Sequence, residues 1–175
     1  MEGRGREAAR RGAKGASGLR KTPVLRERAA CLESSNPVSR KTMMLMLKPE
    51  FFDRVGGAEY RFCRLSDCDI VYFDGGDGPY FTTEHLRLRV GLKEREDPIP
   101  LCYCFDFCER DIRVEVARTG ETTIPRRIRA LIKDGMCACP VRNPSGACCL
   151  GEVNQTAKNL MRELVRGDSD GEGDK

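Results

Sequence analysis

The 175-residue chain is 39% apolar, 33% charged and 6% aromatic, with ten cysteines, one histidine and no tryptophan, which suits one or two small domains. Its net charge of +4 is unevenly placed: residues 1–28 hold nine Lys and Arg against three acids, the last nine residues hold four acids against one Lys, and the stretch between is nearly neutral. A neutral middle argues against the basic folded face that nucleic-acid binding needs, and no apolar run approaches the roughly 20 residues of a membrane span.

Residues 1–28, MEGRGREAARRGAKGASGLRKTPVLRER, are rich in Gly, Ala and Arg and offer almost nothing large and apolar to bury. They are predicted to be a disordered basic tail, either a native arm or an upstream extension of the reading frame. No apolar stretch of export-signal length follows them, so a reducing cytoplasm is the expected compartment. Ten thiols in such a compartment point to thiolate ligation of metal rather than to disulfides.

Residues 29–98 read as a small β-rich module. The run TMMLML from Thr42 is strand-like, and Pro49 stands where proline opens a short helix. YRFC, DIVYFD and PYFT are three strand candidates rich in Tyr, Phe, Val and Ile, broken by the glycines of Gly75 to Gly78. Asp97-Pro98-Ile99-Pro100 reads as a stiff linker.

Residues 99–166 have helical periods. One helix is predicted over Glu109–Arg118 and a second from Thr123, as its N-cap, with Pro125 in the first turn. Ile124, Ile128, Leu131 and Ile132 share a face of that second helix, and Gly135 stops it. A third helix buries Leu150, Val153, Ala157, Leu160, Met161 and Leu164, before an acidic disordered tail at 167–175. The fold class is α+β: a small β-rich module followed by a small helical one.

The cysteines divide with the modules. Cys63-x4-Cys68 brings two sulfurs to the ends of a tight turn, where with Cys31 they suit structural zinc. A closed zinc site takes four ligands, and Cys31 has Arg28 three residues before it and Ser34 three after it instead of a second cysteine. The fourth position falls to His85, to a thiol of the other half such as Cys108, or to Asp67 or water, unless the site is inert. In the helical half Cys102-Tyr-Cys104, Cys137-Ala-Cys139 and Cys148-Cys149 suit a 2Fe-2S cluster, whose two irons each take two thiolates from separate loops. Cys102 and Cys104 are the firmest of these ligands, since their loop has no other pair. Plain burial as small hydrophobes is the bland alternative. Cys108 precedes a helix and is either a weak cap or a reactive thiolate.

CYCFDFCERDI, TGETTIPRRIRALIKDGMCACPVRNPSGACCLGEVN, FCRLSDCDIVYF and VGLKEREDPIPLCYC together resemble the metal-binding region of CopZ-type iron-sulfur copper chaperones, over about Cys31 to Leu164. The resemblance implies a zinc site beside a 2Fe-2S cluster of the kind found in bacterioferritin-associated ferredoxins. It adds Cys139 and Cys149 to the cluster ligands and leaves Cys137 and Cys148 as spare thiols able to hold soft Cu(I). Full-length members carry a further copper domain with a Cys-x-x-Cys loop, which this sequence does not contain. The implied role is not enzymatic: a metallochaperone-like protein reduces Cu(II) to Cu(I) by one electron and passes metal or electrons to a copper-handling or redox partner. The rivals are a ferredoxin-like electron carrier with no copper role and a zinc-only structural or interaction module.

Overall fold

The computed structural model describes residues 24–76 and 78–169. Most of the basic segment assigned to a tail, residues 1–23, and the acidic residues 170–175 lie outside them. The described residues begin with helix α1, Val24–Glu33, so Val24–Arg28 are helical rather than part of a disordered tail. One turn residue, Ser34, leads into strand β1, Ser35–Val38. Strand β1 has no apolar alternation to announce it, since SNPV holds its place by pairing with its neighbour.

The TMMLML run is helix α2, Arg40–Met46, and not a strand. A short apolar run does not reveal its period; here Ser39 decides it by accepting the Thr42 N–H at 3.0 Å as N-cap. Met and Leu are good helix formers, and Met43, Met46 and Leu47 point inward while Leu45 stays 47% exposed. A 3-10 turn over Pro49–Arg54 follows, opened by Pro49 as expected. Strands β2 (Tyr60–Cys63), β3 (Ile70–Asp74) and β4 (Tyr80–Thr82) are the three strands read from the sequence. They join β1 in one antiparallel sheet in the order β1-β2-β3-β4. Val38, Met43, Leu47, Phe62, Tyr72, Phe81 and neighbouring side chains close a core between this sheet and α2.

The second half opens with a hairpin that sequence periodicity did not show: β5 (Pro100–Cys102) pairs antiparallel with β6 (Phe107–Cys108). Pro100, assigned to the linker, is thus the first residue of a strand. Asp106 turns the hairpin at φ 55°, a region Asp tolerates better than most residues. Gly91 lies so close to this hairpin that a Cβ there would stand 1.7 Å from the Pro100 carbonyl oxygen.

Helix α3, Glu109–Thr119, ends at Gly120 with φ 75°. Helix α4, Ile124–Lys133, follows. Thr123 is the N-cap residue of α4 as expected, but its side chain makes no cap bond; its N–H and the Thr122 hydroxyl turn to α3, where Glu115 accepts from Thr123 N and Thr122 Oγ1, each at 2.7 Å. A four-residue helix α5, Cys139–Arg142, leads to α6, Leu150–Ser169, which runs three residues past the predicted end at 166. Ile112, Val116, Ile124, Ile128, Val153, Ala157 and Leu160 form the second core, those of α4 and α6 along the faces their spacing predicted. None of the described helices is long and apolar enough to cross a membrane.

Candidate metal centres

The first cysteine group follows from the pairing of β1 with β2. Ser35 stands opposite Cys63, so the last turn of α1, one residue upstream, delivers Cys31 to the end of β2. The turn after β2 returns Cys68 to the same point. Cys63 Sγ lies 3.2 Å from Cys31 Sγ, Cys68 Sγ lies 3.5 Å from Cys31 Sγ, and all three sulfurs fall within 4.8 Å of one another. Cys31 and Cys63 have no exposed surface, and Ile70, Phe73, Leu65 and Tyr80 pack around them.

Burial, followed by the sulfur contacts to Cys63 and Cys68, pushes the Cys31 thiol well up, and burial raises Cys68. Cys31 and Cys68, crowded this way, hold their protons until a cation replaces them. Zinc–sulfur bonds of about 2.3 Å set tetrahedral sulfur edges near 3.8 Å, so the sulfur spacing fits a metal ion of this kind.

Neither His85 nor Cys108 joins this group. His85 Nδ1 accepts the Thr82 N–H at 2.9 Å and contacts the Thr82 hydroxyl, and its ring stands edge-on to Phe51 with centroids 4.5 Å apart. It caps a turn beneath the first core. Cys108 caps α3 through its neighbour: its N–H donates to Asp111 Oδ2 at 2.8 Å and its thiol to the same oxygen at 3.2 Å. Burial and that bond push the Cys108 thiol up, the opposite of a reactive thiolate. Asp67 is not in the sulfur group either, but with Asp69, Tyr80, Thr82 and Cys68 it lines a pocket of about 430 Å³.

The second group comes from three separate segments. The β5–β6 hairpin carries Cys102 and Cys104, α5 begins with Cys139, and Cys149 stands immediately before α6. Cys104 Sγ and Cys139 Sγ lie 3.7 Å apart. Interaction with Cys149, together with the backbone N–H groups of Phe105 and Cys104, pulls the Cys102 thiol down to about 6, while interaction with Cys102 and burial drive Cys149 up. Ala138 N–H donates to Cys104 Sγ at 3.3 Å, and Cys139 accepts the Cys149 N–H. Cys102, Cys139 and Cys149 are buried. The four sulfurs thus form two close pairs, linked through Cys139 and Cys149, without three falling inside the 4.8 Å that unites the first group.

Cys137 is half-buried against the second core and Cys148 is exposed. Cys148 lies near enough to Cys139 and Cys149 to act on both electrostatically.

Hydrogen bonds between the two halves were not foreseen from the sequence. Tyr72, fully buried in β3, donates its hydroxyl to the Pro144 carbonyl at 2.8 Å. Thr42 Oγ1 donates to the Pro140 carbonyl at 2.5 Å, and Asn36 Nδ2 to the Ser145 carbonyl at 2.8 Å. All three acceptors lie in the segment between Cys139 and Cys149. In return, the Gly91 N–H donates to Tyr103 Oη, between Cys102 and Cys104, at 2.8 Å. A buried Thr in a run of Met and Leu is the one sequence signal that could have announced this seam, because a buried hydroxyl needs a partner.

The sheet with its close trio of thiols, followed by a helical half with four converging cysteines, defines a mixed α/β metal-binding protein. A zinc binding domain family, CopZ type, matches residues 29–87, which contain Cys31, Cys63 and Cys68. The copper chaperone CopZ of Archaeoglobus fulgidus is 34% identical over 103 residues, 59% of this chain and 48% of that protein. The crystal structure of the CopZ N-terminal domain from the same organism aligns with a TM-score of 0.55 at 30% identity, covering 68% of this chain and 88% of that domain. The chain belongs to the CopZ family, over its N-terminal domain. It spans about half the length of the curated relative that it matches.

Proposed function

We propose that this chain is the metal-binding and redox part of a copper-handling system, with residues 29–98 as a zinc-binding module and residues 99–166 as a 2Fe-2S module. Cys31, Cys63 and Cys68 are the protein's zinc ligands in this reading. Cys102, Cys104, Cys139 and Cys149 hold the cluster. The observation that carries the reading is the arrangement of those four sulfurs as two pairs, Cys104 with Cys139 and Cys102 with Cys149. A mononuclear ion gathers its thiolates into one group, as in the first half, whereas two irons each take a pair.

When bound, a 2Fe-2S cluster supplies one-electron transfer, enough to reduce Cu(II) to Cu(I). The chain's own contribution is to hold and shield the sulfurs. The N–H groups of Cys104 and Phe105 favour the thiolate form of Cys102, and the Ala138 N–H donates to Cys104 Sγ. Burial of Cys102, Cys139 and Cys149 keeps water from them. Cys148, exposed beside two of these ligands, and half-buried Cys137 offer soft sulfur to the Cu(I) produced. The partner receives Cu(I) or electrons, and the setting is the cytoplasm.

The test is anaerobic purification with metal analysis, followed by mixing dithionite-reduced, desalted protein with stoichiometric Cu(II) under argon. Two irons and two sulfides per chain, return of the oxidised cluster's visible absorption on copper addition, and Cu(I) recovered by a chelating dye support the reading. A colourless protein after iron-sulfur reconstitution removes the cluster from it. A cluster that stays reduced in the presence of Cu(II) leaves the electron-carrier role without copper.

A further inference from the structure

The first sulfur group has three soft ligands and no fourth. All ten cysteines and the single histidine are among the described residues, so no thiol or imidazole is left to be supplied from elsewhere in this sequence. His85 is committed to Thr82 and Phe51, Cys108 to Asp111, and the remaining cysteines belong to the second half. Ser34 stands three residues after Cys31, where a paired cysteine would complete a Cys-x2-Cys ligand motif. Cys31 and Cys63 are wholly covered. Access to an ion held by all three sulfurs therefore runs past half-buried Cys68, which lines the pocket of about 430 Å³ with Asp67, Asp69, Tyr80 and Thr82.

Closed four-ligand zinc sites are structural, whereas sites with three protein ligands keep a position for an outside molecule. We propose that the Cys31, Cys63 and Cys68 centre leaves one zinc position open toward the pocket beside Cys68 and binds an exogenous thiol there as thiolate. This rests on the zinc reading above. Binding breaks the bond from zinc to water and forms a bond from zinc to sulfur; the thiol proton passes to solvent, and no electron moves. The pocket has room for a small thiol. Its two carboxylates, beside the Lys93 ammonium that is already bonded to the nearby Leu65 carbonyl, favour a thiol that carries a positive charge. The centre is thus a place where zinc can be approached by a competing thiol, as metal exchange requires.

The experiment is zinc X-ray absorption on the zinc-loaded full chain, with zinc content measured on the same samples. Three sulfurs and one lighter neighbour are expected without added thiol, and four sulfurs with millimolar cysteamine while zinc is retained. Mercaptoacetate should need a several-fold higher concentration, and Asp67→Asn with Asp69→Asn should erase that difference. A peptide with one cysteine, tested in the same way, separates a protein thiol from a small one as the source. Ser34→Cys should show four sulfurs with no thiol added and no response to cysteamine. Four sulfurs in the untreated wild type, an unchanged spectrum in cysteamine, or zinc stripped by it would overturn the proposal and leave the zinc reading standing. Absence of zinc after loading overturns both.

Discussion

The hydroxyl of Tyr72, in the middle of the sheet, donates to the carbonyl of Pro144, 72 residues away and between two cysteines of the helical half. Both residues are fully buried. The sheet that surrounds the first sulfur group therefore also fixes the segment that presents Cys139 and Cys149.

Tyr72→Phe leaves the Pro144 carbonyl buried and unpaired, which costs about 1–3 kcal/mol. Urea or thermal unfolding should show that loss. The same variant should lose iron to a chelator faster than the wild type, while zinc content stays the same, because Tyr72 touches the segment between the second set of cysteines and none of the first. Equal iron loss in both proteins would show that the bond carries no information across the seam.

The two sulfur groups should fail independently. Cys63→Ser should remove one zinc per chain and destabilise the first half, since zinc held only by the folded site contributes folding free energy directly, with the colour retained. Cys102→Ser or Cys104→Ser should bleach the protein with zinc retained, whereas Cys137→Ser and Cys148→Ser should keep full iron and lose only Cu(I) retention. Iron and zinc analysis with the visible spectrum decides among these outcomes.

Gly91→Ala should be among the most damaging small substitutions outside the cysteines. The added Cβ would meet the Pro100 carbonyl oxygen at 1.7 Å, and that atom is backbone at the base of the hairpin carrying Cys102 and Cys104. Overpacking of this kind costs about 1–3 kcal/mol or more. Circular dichroism melting should show a lowered midpoint, and Gly57→Ala, where a Cβ meets nothing, serves as the control.

Glu115 gives the helical half an acid-sensitive clasp. Partial burial works against its charge, but bonds from Thr122 and Thr123 and the Arg127 guanidinium outweigh it and hold the carboxyl below its usual value. Because the folded value is depressed, the stabilisation is complete above the ordinary carboxylate range and is lost as pH falls through the depressed value. Glu115→Gln should lower stability at neutral pH and change little below the depressed value, which flattens the acid limb of the stability profile, as denaturation at several pH values would show.

The sequence by itself determined what short-range chemistry can encode. Strands β2, β3 and β4 stood out by their Tyr, Phe, Val and Ile content; α3, α4 and α6 by their period; the division of thiols into a trio and a later set by position along the chain. It misread TMMLML as a strand, because five adjacent apolar residues have no visible period, and the Ser39 cap and the core beneath Met43 had to choose the helix. It missed β1 and the β5–β6 hairpin, whose residues show no alternation and are strands only through their partners. The pairing of Cys104 with Cys139 and of Cys102 with Cys149, the diversion of His85 and Thr123 to other bonds, and the Tyr72 and Thr42 seam were decided by tertiary structure alone. Each joins groups far apart in the chain or satisfies a buried polar atom, and such a choice exists only once both cores have closed and water can no longer supply the partner.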